Sequence, residues 1–129
     1  MAGSLREEVE ADNAAFCAAL SAGDLEGVAD AFDVEATMLA PGAPAANGRE
    51  EIRAYFEQGA RITGPVMRIT RVEDLGETVA EVGEYTMTVT MPGEEPFEDA
   101  GKYLCVRRRN ADGRLRLWLD TFHSDRIAG

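Results

Sequence analysis

The chain changes its hydrophobic period once, near Gly64, and that single change limits the folds open to it. Upstream, Leu5, Val9, Phe16, Ala19 and Leu20 recur at helical spacing through LREEVEADNAAFCAAL, which predicts a helix with one buried face. Ser4 precedes it as an N-cap, with Glu7 three residues on completing a capping-box pattern, and Gly23 stops it. Asp24 then caps a shorter helix, DLEGVADAF, whose buried stripe is Leu25, Val28 and Phe32. A short strand over 35–40 ends at Pro41 and Gly42, and PGAPAANG reads as a loop without a period. Asn47 and Gly48 open a third helix, REEIRAYFEQGA, with Ile52, Tyr55 and Phe56 on one face. Glu50 and Glu51 suit the positive N-terminal end of that helix.

Downstream the period is two. Strands are predicted over 66–75, 79–91, 97–109 and 114–125, joined at Gly76, at Pro92 and Gly93, and at Asn110 to Gly113. Connections this short make successive strands antiparallel. Helices gathered ahead of an antiparallel meander predict an α+β domain, with the helices on one face of a curved sheet. The 129 residues form one domain, 1–129, long enough for a self-sufficient core.

Charge narrows the partners. With 24 acidic against 13 basic residues the net charge is -11. That is the wrong sign for displacing counterions from nucleic acid, and equally wrong for an anionic membrane surface. No apolar run has the length of a membrane span, and the acidic N-terminus lacks a signal-peptide pattern. Cys17 and Cys105 are expected to be buried free thiols in a reducing cytoplasm. One histidine and no CxxC or HExxH pattern leave a metal site without ligands, and no cofactor motif is present. The expected ligand is a small molecule or another protein.

The last strand carries the most unusual arrangement. In strict alternation Trp118, Asp120 and Phe122 share one face, and Leu115, Leu117, Leu119 and Thr121 share the other. Both faces are then apolar and both need cover. Helices can supply one, and a second copy of the protein is expected to supply the other, through the outer sheet face. Asp120 in an apolar wall requires a partner or a raised pKa. If the turn sets residue 104 opposite 120, Lys102, the only lysine, lies diagonal to Asp120 on the same face. A one-residue change of register separates them. The pair is either structural or a functional carboxylate with its cation. His123, three residues along the strand, faces away and is expected in solvent or at an interface.

The strings AALSAGDLEGVADAFDVEATMLAPG, NGREEIRAYF, GEYTMTVT and EDAGKYLCVRRRNADGRLRLWLDTFHSD resemble the SnoaL-like branch of the nuclear transport factor 2-like superfamily, over nearly the whole chain. The resemblance implies a cone: a strongly curved sheet around the N-terminal helix, three helices on the concave face, an apolar pocket at the open end, and dimers through the outer face. It places Phe16, Met38, Ala40, Tyr55, Phe56, Tyr85, Met87, Lys102, Leu104, Trp118, Asp120 and Phe122 at or near the pocket. The tyrosine and two acidic positions of ketosteroid isomerases correspond to Phe16, Ala40 and Lys102, so that isomerase's usual residues are lost.

Two functions remain open. The first is acid–base chemistry, without a cofactor, on a polyketide-like or other carbonyl-containing hydrophobic molecule. In it Asp120 is the proton carrier, and Lys102 or a tyrosine hydroxyl stabilises the oxyanion. The second is a non-catalytic dimeric binding or accessory module in which Lys102 and Asp120 form a structural pair.

Overall fold

A computed structural model describes residues 4–126. The elements run α1 (Leu5–Ala22), α2 (Leu25–Asp30), β1 (Phe32–Leu39), β2 (Ala46–Asn47), α3 (Gly48–Gln58), β3 (Arg61–Asp74), β4 (Thr78–Thr90), β5 (Phe97–Arg109) and β6 (Leu115–Ser124). The capping box forms at the start of α1: Glu7 N donates to Ser4 Oγ at 3.1 Å, and Ser4 N donates to Glu7 Oε1 at 3.2 Å. Gly23 ends the helix with a φ of 71°, a left-handed cap that suits glycine. No helix among the described residues is long and apolar enough to cross a membrane.

The six strands form one open curved sheet in the order β2-β1-β6-β5-β4-β3. The four long strands pair antiparallel in sequence, as their short turns require. β1 and β6, distant along the chain, pair in parallel. Phe32 departs from its expected place on α2. Leu117 N donates to Ala31 O at 3.0 Å and Phe32 pairs with Leu117, so the sheet captures this residue as the first of β1. β3 likewise begins earlier than its alternation suggested, at Arg61, because two register shifts let it follow β4 over its whole length.

A bulge in β6 divides that strand into two parities. Arg107 pairs with Leu117 and Val106 with Leu119, which leaves Trp118 as the extra residue. Leu115 and Leu117 therefore face inward before the bulge, and Asp120 and Phe122 face inward after it. Trp118 does not share the inner face with them. Its ring lies under the Arg108 guanidinium, 4.8 Å from the centroid. Strict alternation fails here because one unpaired residue reverses the parity of everything that follows.

The core lies between the helices and the inner face. Phe16 of α1 meets Phe32 and Phe56 edge-on, at 5.8 and 6.4 Å between ring centroids. Phe32, Met38, Ile52 and Val28 are fully buried around them. On the outer face two apolar rows cross four strands. Leu39, Thr121, Leu104 and Val82 follow the cross-strand pairing in one row, and Thr37, Leu119, Val106 and Ala80 in the next. Leu39, Leu104 and Leu119 are each 41–49% exposed.

Candidate functional site

The inward-facing residues of β3 to β6 close with Phe16 and Cys17 of α1 and Phe56 of α3 around a chamber of about 80 Å³. Above it opens a recess of about 510 Å³, bordered by Tyr55, Phe97, Asp99 and Arg126. Phe56, Ile62, Tyr85, Met87 and Phe122 line both spaces, so they are successive parts of one funnel. The wide part has the size of an ordinary small-molecule site. The narrow part has the volume of about three waters.

Asp120 is the acidic group of the chamber wall. It pairs with Cys105 on one side and Met38 on the other, and no described residue donates a hydrogen bond to its carboxyl. The residue is half-buried and lines the chamber. Burial is the largest influence on its pKa and raises it. Arg107 opposes and Glu81 reinforces that effect, and the carboxyl is pushed up to about 7. A group poised there exchanges a proton readily at neutral pH.

Next to Asp120 lies a buried polar network. Glu81 is fully buried, and four donors reach its carboxylate: Asn13 Nδ2 at 2.7 Å, Tyr103 Oη at 2.6 Å, Arg107 Nε at 2.8 Å and Cys105 Sγ at 3.5 Å. Arg107 Nη2 also donates to Asn13 Oδ1 at 2.6 Å. Burial alone would raise the Glu81 pKa. The Arg107 charge and the donated hydrogen bonds outweigh it, and the carboxyl lies below its ordinary range. Burial, then Glu81, hold the Tyr103 hydroxyl far above the usual tyrosine range. Burial, then Glu81 and Asp120, do the same to the Cys105 thiol, which leaves it without nucleophilic character. Tyr85, at the junction of chamber and recess, is raised by burial and by nearby Asp99 and Asp125, and remains a neutral hydroxyl.

The SnoaL-like domain family matches residues 14–124. The chain belongs to that family. Several solved structures superpose on it closely. A ketosteroid isomerase-like protein from Erwinia carotovora atroseptica has a TM-score of 0.81 at 17% identity, covering 94% of this chain and 96% of that one. ActVI-ORFA from Streptomyces coelicolor has a TM-score of 0.80 at 20% identity, covering 95% and 98%. A nuclear transport factor 2-like protein from Cytophaga hutchinsonii has a TM-score of 0.80 at 13% identity, covering 95% and 99%. No curated protein matches the chain in sequence. These likenesses establish the cone fold and leave the chemistry to the residues.

Within this SnoaL-like cone, Phe16, Phe56, Tyr85, Met87, Asp120 and Phe122 meet at the chamber, and Tyr55 borders the recess. Met38 and Ala40 are packed in the core behind the wall. Leu104 and Trp118 lie away from the chamber, Leu104 on the outer face. Lys102 is a correction to the sequence reading. It pairs with His123, not with a position beside Asp120, and so projects from the outer face. There its Nζ donates to Asp125 Oδ1 at 2.5 Å, with both side chains more than half exposed. Residue 120 stands opposite 105 and not 104, and this one-residue difference reverses the face. Glu81, Arg107 and Asn13 were not singled out from the sequence. The visible signal was a glutamate and an arginine at inward parities of predicted strands, at odds with the apolar residues around them.

Proposed function

We propose that this SnoaL-like protein binds a small hydrophobic carbonyl compound, polyketide-like or alicyclic, and that Asp120 moves a proton on it. The reading is supported by one observation above the others: an unpartnered carboxyl in an apolar chamber, with a pKa of about 7. In its ionised form Asp120 takes a proton from the carbon next to the carbonyl, and the electron pair of the broken C–H bond moves onto the carbonyl oxygen as an enolate. The neutral acid then returns the proton to the conjugated carbon. The bonds shift, no atom is gained or lost, and no cofactor is required. The Tyr85 hydroxyl is the tyrosine donor suited to the developing oxyanion. With Lys102 outside, the lysine has no part in this chemistry.

A β,γ-unsaturated cyclohexenone, a single ring that the recess admits, tests the reading. The protein is expected to convert it to the conjugated isomer faster than buffer does, and Asp120→Asn is expected to remove the acceleration. Binding of the ketone by both proteins, with no conversion by either, would instead establish the non-catalytic reading. The narrow chamber, and the internal use of the Tyr103 hydroxyl, favour that second reading.

The apolar rows on the outer face are the surface proposed for a homodimer, since Leu39, Leu104 and Leu119 otherwise meet water together. Free thiols at Cys17 and Cys105 accord with a reducing, cytoplasmic setting.

A further inference from the structure

Arg107 stands between two carboxylates. Cys105 pairs with Glu81 on β4 and with Asp120 on β6, and Arg107 follows Cys105 by two residues on the same inner face. It is therefore diagonal to both acids, in a relation that a long side chain can span. The arginine takes only one of them. Its Nε donates to Glu81 Oε1 at 2.8 Å, its Nη2 donates to Asn13 Oδ1 at 2.6 Å, and its Nη1 lies 3.9 Å from Asp12 Oδ2. Asn13, from α1, closes the arrangement by donating to Glu81 Oε2 at 2.7 Å. Asp120 is left without a partner, although a buried cation lies within its electrostatic reach.

We propose that Glu81 is a positioning residue: it engages Arg107 on the far side of Cys105, keeps that cation from closing on Asp120, and so leaves the Asp120 carboxyl free to take and return a proton. The core carries a buried ion pair that apolar residues of similar volume would replace at little cost to stability. Its position explains its presence, because an apolar substitute for Glu81 alone would hand Arg107 to Asp120. Asn13 and Tyr103 hold Glu81 in place and fix the direction of the arginine. The charged or titratable groups facing Asp120 are few. β5 contributes Tyr103, Cys105 and Arg107, β4 contributes Glu81 and Tyr85, and α1 contributes Cys17, with Asp12 of the same helix lying against Arg107. α3 presents Phe56, and β1 and β3 present Met38 and Met67. Among them Arg107 is the cation. The inference rests on Asp120 being the proton carrier, and its test reads the Asp120 carboxyl and not turnover, so that the two fail separately.

The experiment is a carbon-13 NMR titration of the Asp120 carboxyl in the full chain. In Glu81→Gln the midpoint falls by about 1–3 pH units, partly through loss of the Glu81 charge and partly because Arg107 turns to Asp120. The turn itself is read from the Arg107 Nε–H signal in nitrogen-15 spectra, which is expected to follow the Asp120 titration in the variant and not in the parent. An Arg107 signal that ignores that titration overturns the proposal. A folded Glu81→Gln protein with an unmoved or raised midpoint overturns the proposal. Glu81→Gln with Arg107→Gln removes the cation together with its keeper, and this neutral pair carries the test if the single variant does not fold. Its midpoint is expected at or above that of the unaltered protein. A fall there overturns the proposal, because no arginine remains to cause it.

Discussion

Asp120 faces Cys105 across β5 and β6, and this one pairing decides which charges reach its carboxyl. Cys105 brings Glu81 and Arg107 into the same neighbourhood and leaves Lys102 on the other side of the sheet. The carboxyl is thus set mainly by burial, with two internal charges of opposite sign acting on it.

Stability should carry the imprint of that burial. An unfolded aspartate titrates near pH 3.9 and the folded one near 7, so between these values the native state holds more protons. Stability therefore falls as pH rises through this window, by up to about 4 kcal/mol, and the cost is fully present above the folded pKa. Asp120→Asn removes the titration. Thermal unfolding is expected to show the variant and the parent close together near pH 4, with the variant increasingly the more stable toward pH 8. Lys102→Met, which removes only an exposed ion pair, should leave the shape of the parent's curve intact.

Gly101 marks a place where the backbone leaves no room for a side chain. A Cβ there would meet the backbone carbonyl oxygen of His123 and would sit 2.5 Å from the Tyr85 hydroxyl. The glycine lets the Tyr85 ring lie across β5 at the funnel's junction, edge-on to Phe122 at 6.2 Å. Gly101→Ala is expected to cost about 1–3 kcal/mol in denaturant unfolding, because the obstacle is backbone and cannot rotate aside. The same variant should weaken ketone binding by displacing Tyr85.

Leu104 lies near the middle of the outer apolar rows and is 47% exposed. If a second copy covers this face, Leu104→Glu places an unpaired charge in the interface and should shift sedimentation from dimer to monomer. The funnel opens on the opposite face of the sheet, so ketone affinity should persist in the monomer. A parent protein that sediments as a monomer at micromolar concentration would remove the dimer from consideration.

Much of the architecture was legible because each element carried its own local signal. Ser4 and Glu7, Gly23, and the turns at Gly76 and Gly113 all follow from backbone requirements that operate over a few residues. What was not legible depended on pairing between distant residues. Alternation put Trp118 beside Asp120, yet the bulge opposite Val106 and Arg107 turned Trp118 away while keeping Asp120 inside. The same information was missing for Lys102, whose face turned on whether residue 104 or 105 stands opposite 120. Glu81 and Arg107 stayed hidden for a related reason. Each stands at an inward parity of its own strand, but only the assembled sheet brings both beside Asn13 of α1.

Asp33, another buried acid, gives the opposite pH dependence to Asp120 and provides the last test. Asp33 is 1% exposed, and Arg108 grips both its oxygens, at 2.9 and 3.0 Å, while Glu35 N and Asn110 Nδ2 also donate to it. The Arg108 hydrogen bonds, against the opposing effect of burial, and with help from the other donors hold this carboxyl well below the ordinary aspartate range. Because the folded pKa is depressed, its stabilisation is fully present above the unfolded pKa near 3.9 and is lost as pH falls toward the folded one. Asp33→Ala leaves Arg108, Asn110 and the Glu35 amide without their shared acceptor. It is expected to lower stability at pH 7 by roughly 3 kcal/mol. The deficit should shrink below about pH 4, where the parent begins to lose the same interaction. Chemical denaturation of both proteins at pH 7 and pH 3 measures this directly. A deficit of equal size at the two pH values would mean that Asp33 contributes packing and not charge.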